Sequence, residues 1–256
     1  MSDKNKVSWS PMPRFLLRKD AVIQSLKERD LKGKRVLEIG FGSGEMLAWA
    51  LDRGAVVSGV DFSFEAHELT YARMGERIKE NKVKLYGSLA EVQSNKYDYV
   101  FAFEVLEHIE SDIEMFGAWL ELLNPGGELL ISVPAHMRKW GDNDVWAGHV
   151  KRYEKSDFSS LVYGRDVDVV HLWNYGFPMT LGLDYLLNRN AKKRNDCEVL
   201  SGQEQKTKRS GVVRSSSFFA KVLSGRCFML PFFLLQRLFF NLDLGSGYLF
   251  HVKKNK

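Results

Sequence analysis

Two carboxylates and a histidine recur at helical spacing near the middle of the chain. Glu104, Glu107 and His108 stand at positions i, i+3 and i+4, and residues spaced in this way share one face of a helix. His149 follows in the block Gly-His-Val-Lys-Arg-Tyr at 148–153. Histidine is the usual general base in proton transfer, so His108 and His149 are the candidate bases and Glu107 is their candidate partner.

The same residues allow other interpretations, which the sequence leaves open. His108 could instead cap or orient its own loop through Glu107. Two carboxylates and two histidines could also hold a divalent ion. His136 follows a predicted strand, and for this residue we expect a solvated loop position more than a catalytic one.

A glycine-rich turn precedes these residues in the chain. Residues 36–44 read Val-Leu-Glu-Ile-Gly-Phe-Gly-Ser-Gly, which predicts a buried strand, a tight turn and the start of a helix. Glycine permits positive φ and lets a ligand approach the backbone. The free amides at the start of the helix add hydrogen-bond donors. The block therefore predicts a nucleotide or nucleoside site.

The residues around the turn distinguish between types of nucleotide. Gly44 is followed by Glu45 rather than by Lys and Ser or Thr, which argues against a triphosphate loop. The third glycine comes one residue too early for a dinucleotide fingerprint. A ligand without phosphates fits better, because Glu38 and Glu45 can then face an amino group or a ribose. Asp61 ends the second predicted strand, where it can accept both ribose hydroxyls or, together with Ser63, cap the next helix.

The elements that must position these residues alternate between apolar runs and amphipathic stretches. This alternation predicts a parallel sheet covered by helices. The predicted strands are 35–39, 55–60, 82–85, 97–103, 128–133, 167–173 and 248–252. The predicted helices are 16–29, 44–53, 64–79 and 113–123, the last one ended by Asn-Pro-Gly-Gly at 124–127.

The C-terminal part is harder to assign. We predict an irregular segment at 135–153 and a helix at 158–163 with Ser156 as its N-cap. A polar, mobile loop is predicted at 189–210, followed by helical structure at 212–242 with an interruption at Pro231.

Four blocks in the chain resemble class I S-adenosylmethionine-dependent methyltransferases. They are Glu-Ile-Gly-Phe-Gly-Ser-Gly at 38–44, Val-Asp-Phe-Ser at 60–63, Phe-Glu-Val-Leu-Glu-His at 103–108 and Leu-Asn-Pro-Gly-Gly-Glu-Leu at 123–129. The blocks keep the order and spacing of that family and cover roughly residues 31–158. With the element pattern, the resemblance predicts an α/β, Rossmann-like, doubly wound seven-stranded sheet. Its last strand is antiparallel, and a C-terminal helical insertion forms a cap.

The domain organisation follows from the same comparison of blocks and elements. We expect a single domain over residues 1–256, with an N-terminal helix at 14–30 and a nucleotide-binding core at 31–134. A loop at 135–153 and a cap insertion at about 176–244 complete it before the last strand.

The resemblance also implies a cofactor site for S-adenosylmethionine, with S-adenosylhomocysteine as the product. Glycines Gly40, Gly42 and Gly44, together with Phe41, would flank the methionine moiety near Glu38. Asp61 would hold the ribose and Phe62 would pack on the adenine, with Ser88 and Leu89 at the adenine edge. Phe103 and Glu104 would line the methyl side. The family often has an acidic residue near Ser88, and its absence leaves the adenine amino group to a backbone or hydroxyl contact.

A metal remains an alternative for this kind of protein. Some ubiquinone-pathway and small-RNA O-methyltransferases similar to this chain hold a metal at positions matching Glu104, Glu107, His108 and His149. Many relatives with the same Glu-x-x-Glu-His run need none, and we expect no metal here.

Net charge, cysteine content and the longest apolar run restrict the binding partners and the cellular location that we expect. The 256 residues carry a net charge of +5, a mild basic bias that scattered solvated lysines explain better than a nucleic-acid partner. Two cysteines form no disulfide framework, which favours a cytoplasmic setting, and the apolar run 227–235 is too short to span a membrane. We expect a monomer or homodimer that methylates an oxygen of a small-molecule acceptor: a metabolite, a sugar or a lipid-linked compound. Nitrogen and carbon acceptors, peripheral membrane contact and a binding module without catalysis stay open.

Overall fold

The computed structural model describes residues 10–80, 82–195 and 225–255. Its strands are β1 (Arg35–Ile39), β2 (Val56–Val60), β3 (Val83–Tyr86), β4 (Tyr97–Phe103), β5 (Leu123–Pro134), β6 (Val167–Tyr175) and β7 (Gly247–Lys254). Its helices are α1 (Pro13–Ser25), α2 (Glu45–Leu51), α3 (Phe64–Lys79), α4 (Asp112–Glu121), α5 (Asp142–Ala147), α6 (Asp157–Val162), α7 (Met179–Asn195) and α8 (Arg226–Arg237).

All seven strands form one sheet in the order β3-β2-β1-β4-β5-β7-β6. Strands β1 to β5 pair in parallel, whereas β7 runs antiparallel to both β5 and β6. The predicted α/β doubly wound sheet with an antiparallel last strand is therefore confirmed. Since the strand order reverses between β1 and β4, the carboxyl ends of these two strands form the crevice where such sheets bind ligands.

Successive side chains along each strand point to opposite faces of the sheet, and each face packs into its own hydrophobic core. Val36 and Phe101 pack with Leu17 and Leu47 of α1 and α2 on one face. Leu37 and Val100 belong to the other core, whose helical members include Phe116, Trp119 and Leu161 of α4 and α6. Because both faces of the central strands are buried, residues of both orientations are apolar, and these strands form continuous apolar runs in the sequence.

Several predicted boundaries are wrong in the C-terminal half. The predicted helix stop at 124–127 lies inside β5, because Leu123 already pairs with Tyr97 and the register then shifts so that Glu128 pairs with Tyr99. The segment 135–153, predicted as irregular, contains α5. Ser156 does precede α6, but its side chain makes no capping hydrogen bond.

Helices α7 and α8 differ most from expectation. The loop predicted at 189–210 begins inside α7, which continues to Asn195 since Lys, Arg and Ala favour helix; residues 196–210 lie outside the described residues, as do 212–224. Helix α8 runs through Pro231 without the predicted interruption. Tertiary contacts hold it: Gln236 Nε2 donates to Leu17 O and to Asp20 Oδ2, and Arg237 pairs with Asp20.

No helix in the described ranges combines the length and the apolar character needed to cross a membrane.

Candidate active site

The glycine turn after β1 presents bare backbone at the carboxyl edge of the sheet. Gly40, Gly42 and Gly44 have φ values of 70°, 50° and 66°, which residues with a Cβ adopt only with strain. A Cβ at Gly40 would lie 2.5 Å from Val105 Cγ2, and a Cβ at Gly44 would lie 2.6 Å from Thr70 Oγ1. Backbone conformation therefore favours glycine at all three positions, and at Gly40 and Gly44 there is also no space for a Cβ.

The carboxylate of Asp61 joins the end of β2 to this turn. Its Oδ2 accepts from the Gly42 amide at 2.9 Å, and its Oδ1 accepts from the Ser63 amide at 2.9 Å. Burial raises the pKa of Asp61, although these two backbone hydrogen bonds act to lower it. Ser63 rather than Asp61 caps α3, by accepting from the Ala66 amide. Each carboxylate oxygen of Asp61 retains capacity for a further donor, such as a hydroxyl.

The two acidic residues that flank the turn have different surroundings. Glu38 is buried, its Oε2 has no hydrogen-bond partner among the described residues, and burial raises its pKa to about 8. Glu45 instead forms ion pairs with Lys19, at 2.7 Å, and with Arg73. Glu38 is thus the acid with an unused buried oxygen, whereas Glu45 connects α2 to α1 and α3.

The expected adenine side holds exposed as well as packed residues. The Phe62 side chain is 54% exposed, while Phe41 is buried with the centre of its ring 5.0 Å from that of His67. Leu89 packs on the second core. The Ser88 amide and hydroxyl both donate to Glu91 Oε1, at 2.9 and 3.2 Å. Glu91 therefore brings a carboxylate beside Ser88, where the sequence block itself lacks an acid.

Glu104 leaves β4 in a strained conformation and enters a hydrogen-bond network. Its φ is +58°, in the left-handed region that non-glycine residues seldom occupy. Ser132 Oγ and Tyr175 Oη each donate to Glu104 Oε1 at 3.1 Å. Burial opposes ionisation of Glu104, but the charges of Arg18 and Arg14 outweigh it and lower its pKa.

Those two arginines come from α1, far away in sequence. Arg18 Nη1 lies 3.7 Å from Glu104 Oε1, and its guanidinium stands 5.7 Å from the ring centre of Phe103. Arg14 lies deeper toward α7, with Nη1 3.7 Å from Asp184 Oδ1. The sequence analysis missed both, since nothing in the periodicity of a helix shows that its arginines face a site formed by other elements.

Glu107, His108 and His149 form a compact cluster. Glu107 is fully buried and neither carboxylate oxygen has a hydrogen-bond partner in the described part of the chain; His149 Nε2 lies 3.8 Å from Glu107 Oε1. Burial, together with the nearby charge of Glu104, raises the pKa of Glu107 well above its ordinary value. The rings of His108 and His149 meet edge to face, 5.0 Å between centres.

His108 is held by the backbone. Its Nδ1 lies 3.0 Å from the carbonyl oxygen of Gly148, so Nδ1 carries the proton that this oxygen accepts. Burial and the neighbouring His149 lower the pKa of His108 to about 4. His108 is therefore a neutral imidazole at neutral pH and also connects the β4 end to the segment after α5.

His149 is oriented by Asp144, a residue that the sequence analysis missed. His149 Nδ1 lies 2.8 Å from Asp144 Oδ1, and Arg152 Nε donates to the same oxygen at 2.9 Å. Burial opposes ionisation of Asp144, but the hydrogen bonds from His149 and Arg152 hold its pKa near 2. A charged Asp144 places a proton on Nδ1 of His149 and leaves the Nε2 lone pair toward Glu107. No spacing rule links Asp144 to His149 across a segment predicted to be irregular.

The structure corrects two expectations about this group. Glu104 and Glu107 do not share a helix face: Glu104 directly follows β4, and Leu106–His108 forms a short 3-10 helix before α4. His136 is not a solvated loop histidine. It is buried, with Nδ1 3.3 Å from Glu154 Oε2 and Nε2 3.5 Å from Asp243 Oδ1.

The cluster also has the donor set of a metal site. Glu107, His108 and His149 each offer a ligand atom, and these three atoms lie within 4.8 Å of one another. A buried carboxylate without hydrogen-bond partners is costly unless it is protonated or paired with a cation. One carboxylate and two imidazoles suit a transition-metal dication better than Mg²⁺ or Ca²⁺, which prefer oxygen ligands.

Comparisons with known proteins identify the family of this chain. The sequence model of the family described as "Methyltransferase domain" matches residues 11–172. The ubiquinone biosynthesis O-methyltransferase of Dechloromonas aromatica is 31% identical over 134 residues, which are 48% of this chain and 56% of that protein. Its counterpart from Idiomarina loihiensis is 32% identical over 124 residues, 47% of this chain and 51% of that protein. The chain thus spans about half the length of these curated relatives.

Solved structures share the fold. Haemonchus contortus phosphoethanolamine N-methyltransferase 2, in complex with S-adenosyl-L-methionine, superposes with a TM-score of 0.57 at 19% identity, covering 93% of this chain and 53% of that one. The YcgJ protein of Bacillus subtilis gives a TM-score of 0.57 at 15% identity, covering 93% of this chain and 99% of that one. Together with the family match over more than half of the chain, the sheet order and the glycine turn confirm the predicted family: this chain belongs to the methyltransferase-domain family.

Proposed function

We propose that the protein transfers the methyl group of S-adenosylmethionine to a hydroxyl oxygen of a small-molecule acceptor. The observation that carries this proposal is the position of a base with an orienting carboxylate, His149 and Asp144, beside the strained end of β4. The glycine turn of β1, with Asp61 bonded to it, lies at the neighbouring strand of the same sheet edge. The names of the sequence relatives, which are O-methyltransferases, support oxygen as the accepting atom.

The cofactor would bind across the carboxyl ends of β1, β2 and β4. In this proposal the backbone of Gly40, Gly42 and Gly44 contacts the methionine moiety, with Glu38 and the guanidinium of Arg18 near its charged groups. Asp61 accepts from the ribose hydroxyls. Phe62, Ser88 and Leu89 surround the adenine, and Phe103 and Glu104 line the methyl side.

The reaction needs alignment and one proton acceptor. The acceptor oxygen attacks the methyl carbon, the carbon–sulfur bond breaks, and S-adenosylhomocysteine leaves with the bonding electron pair on sulfur. The hydroxyl proton moves to Nε2 of His149, whose imidazolium is stabilised by Asp144. Positioning of the two reactants supplies roughly 7–11 kcal/mol in well-aligned systems, and a positioned base adds about 10²–10⁴-fold. His108 and Glu107 pack beside His149 and complete the proposed catalytic group.

A second candidate is metal-assisted transfer at the same cluster, and the unpartnered oxygens of buried Glu107 favour it. Glu107, His108 and His149 would hold a dication, which would lower the pKa of an acceptor hydroxyl. We expect methylation to persist after exhaustive chelation; loss of activity that Mn²⁺ or Zn²⁺ restores would favour the metal-assisted reaction instead.

The decisive experiment separates cofactor binding from turnover. Calorimetry with S-adenosylhomocysteine should show binding to the wild type and to His149→Ala, and a loss of at least about tenfold in affinity for Asp61→Asn. Asp30→Asn, an exposed aspartate after α1, is the matched control. Methyl transfer from labelled S-adenosylmethionine to phenolic and aliphatic hydroxyl compounds should be lost in His149→Ala and retained in His171→Ala.

Each outcome has a distinct meaning. Absence of heat with both the cofactor and its product contradicts the proposal as a whole. Tight binding without transfer to any compound, in wild type, would favour a regulatory module that binds the nucleoside. Product with nitrogen acceptors only would reassign the accepting atom.

The domain organisation, cellular location, oligomeric state and partners of the protein are part of the same proposal. We propose a single domain in which α7 and α8, between β6 and β7, form a cap over the acceptor side. We further propose a cytoplasmic monomer or homodimer that has a small-molecule acceptor and no nucleic-acid partner. The two cysteines and the absence of a dense basic block within the core support this setting.

A further inference from the structure

The two faces of the sheet are covered differently at β2 and β3. On one face, Val57 of β2 shares a hydrophobic core with Leu47 of α2 and Leu69 of α3. On the other face, the connection from β3 to β4 at 87–96 forms only a short 3-10 helix, Leu89–Val92. Parallel strands are usually joined by an α-helix that covers the sheet. The short connection therefore leaves part of this face without a helix from its own crossover.

A cavity of about 260 Å³, which we call the β2 cavity, lies on this less covered face. Because Val57 points into the core under α2 and α3, its neighbours Val56 and Ser58 point to the opposite face and line the cavity. The remaining polar and aromatic lining comes from Arg35, Lys84, Tyr86, Asn95 and Tyr97. Small-molecule sites usually enclose roughly 300–1,000 Å³, so the β2 cavity has the size for a small compound.

The charged residues at the β2 cavity are all basic. Arg35 and Lys84 are exposed, and neither forms an ion pair with a carboxylate of the described residues. The Arg35 guanidinium lies over the ring of Tyr97, 5.2 Å from its centre. Asp98, the next residue, accepts instead from the Arg35 backbone amide at 2.8 Å and from Asn124 Nδ2 at 3.2 Å. The cavity therefore carries two positive charges that no described carboxylate pairs with.

The two cations approach the β2 cavity from opposite sides. Strand β2 lies between β1 and β3, with Arg35 paired to Val56 and Lys84 paired to Ser58. Their Cα atoms are therefore about 10 Å apart across the strands and about 7 Å apart along them. Long side chains can span that separation, so both charges can contact one ligand bound over Val56 and Ser58.

The neutral side chains add hydrogen-bonding groups and aromatic surface. Ser58, Tyr86 and Tyr97 carry hydroxyls, and Asn95 carries an amide. Ser58 is only 8% exposed, although buried positions are more often apolar. The rings of Tyr86 and Tyr97 offer apolar area for a ligand with a ring of its own. The lining thus suits a compound with an anionic head and a small apolar body.

A phosphate monoester combines these properties. It carries about −1.5 to −2 charges at neutral pH and three acceptor oxygens, which match two cations and several neutral donors. A single carboxylate would balance only one of the cations. A nucleic acid carries phosphates on a long chain, and a cavity of this volume does not admit such a chain.

We propose that the β2 cavity binds the phosphate monoester of a small organic compound. The proposal is independent of methyl transfer, because Arg35 and Val56 begin their strands, whereas the glycine turn and Asp61 follow the opposite ends. Tyr86 lies nearest to the cofactor side, since its carbonyl oxygen accepts from the Asp61 amide at 3.1 Å. The experiment must therefore distinguish the two sites.

The test is a titration of the ¹⁵N-labelled full chain with phenyl phosphate, followed through the NMR shifts of backbone amides. At about pH 7.5 the probe is mainly dianionic, because its second pKa is about 6. We expect saturable shifts centred on 56–58 and 84–86 that persist when S-adenosylhomocysteine is added. Phenol, which lacks the charge, should bind at least about tenfold more weakly. Inorganic phosphate, which lacks the ring, should also bind more weakly.

Variants separate the charges from the shape of the cavity. Arg35→Gln, Lys84→Gln should weaken phenyl phosphate binding by at least about tenfold. Its matched control, Lys27→Gln, Lys79→Gln, removes two charges from exposed lysines elsewhere and should change the affinity by less than about twofold. Ser58→Leu keeps both charges but fills part of the cavity, so it should weaken binding by at least about fivefold. Thermal unfolding and S-adenosylhomocysteine affinity report whether each variant is folded.

Several results would overturn the proposal. Absence of saturable shifts with phenyl phosphate contradicts it directly. Shifts centred on 40–44 that S-adenosylhomocysteine abolishes would assign the phosphate to the cofactor site. Equal affinities of the Arg35, Lys84 variant and its control would remove the role of the two cations. Inorganic phosphate bound as tightly as phenyl phosphate would show an adventitious ion only, and a short DNA duplex bound more tightly than the probe would assign the cations to nucleic acid.

Discussion

Replacing Asp144 by asparagine tests the orientation of His149 most directly. In the wild type, Asp144 Oδ1 accepts from His149 Nδ1 at 2.8 Å and from Arg152 Nε at 2.9 Å, while Oδ2 accepts from the Gly141 amide at 2.9 Å. All three partners are donors, so an amide group cannot satisfy them all. The side-chain NH₂ of the substituted residue must face either the Gly141 amide or the His149–Arg152 pair.

The second arrangement would reverse the histidine. With an NH₂ group facing Nδ1, His149 must accept there and carry its proton on Nε2, the nitrogen that takes the acceptor proton in our proposal. The contribution of a positioned base, about 10²–10⁴-fold, would then be lost from kcat. Arg152 would lose a buried charged partner, and breaking such a pair destabilises by roughly 3–5 kcal/mol.

The assay must separate orientation from folding. We expect Asp144→Asn to lower kcat by about 10²–10⁴-fold while KM for the cofactor and affinity for S-adenosylhomocysteine change less than about threefold. Arg152→Met is the matched control: it removes the same buried ion pair but keeps the Asp144–His149 hydrogen bond, so it should lower thermal stability yet retain most of kcat. A folded Asp144→Asn protein with near-normal kcat would refute the role of Asp144 as a positioning residue, and equal losses of kcat in both variants would point to general disruption.

Three further predictions follow from other parts of the structure. Gly40→Ala should destabilise the protein by about 1–3 kcal/mol in urea unfolding and weaken cofactor binding, because φ is +70° and the new Cβ would lie 2.5 Å from Val105 Cγ2. Adding Val105→Ala should relieve the steric contact but not the backbone strain, so complete recovery of stability would contradict the strain argument. Burial lowers the pKa of His251, against the effect of Glu128. As pH falls, the unfolded chain therefore takes up the proton first, so the contribution of His251 to the free energy of unfolding is full above about pH 6.5 and decreases below it. His251→Gln should reduce the slope of the free energy of unfolding against pH by up to about 1.4 kcal/mol per pH unit. An unchanged slope would exclude His251 as its source. Asp20→Asn should weaken the packing of α8 on α1, since Asp20 accepts a hydrogen bond from Gln236 and forms an ion pair with Arg237. We expect the free energy of unfolding to fall by about 1–3 kcal/mol and proteolysis within α8 to become faster than in the wild type; equal proteolysis rates would show that other contacts hold the helix.

Local pattern was sufficient for the first half of the fold. The bounds predicted for β1, α3 and β4 agree with the structure, since each is set by an apolar run or amphipathic repeat between clear turn residues. The glycine turn could also be predicted from the sequence, because the positive φ at Gly40 depends only on the conformation of a few neighbouring residues. Prediction failed where order depends on distant partners: α8 continues through Pro231 because α1 holds its far end, and β5 begins early because Leu123 finds Tyr97.

The candidate site divides in the same way. The sequence by itself determined which side chains lie near the carboxyl ends of the strands, among them Glu38, Asp61 and Glu104. Parallel topology brings these ends to one edge of the sheet. It did not determine their neighbours. Arg18 reaches Glu104 from α1, and Asp144 orients His149 from α5. Burial, together with the charge of Glu104, raises the pKa of Glu107. Contacts between distant segments and the exclusion of water arise only when the chain is packed, so the tertiary structure alone decided which of these groups are charged and toward what they point.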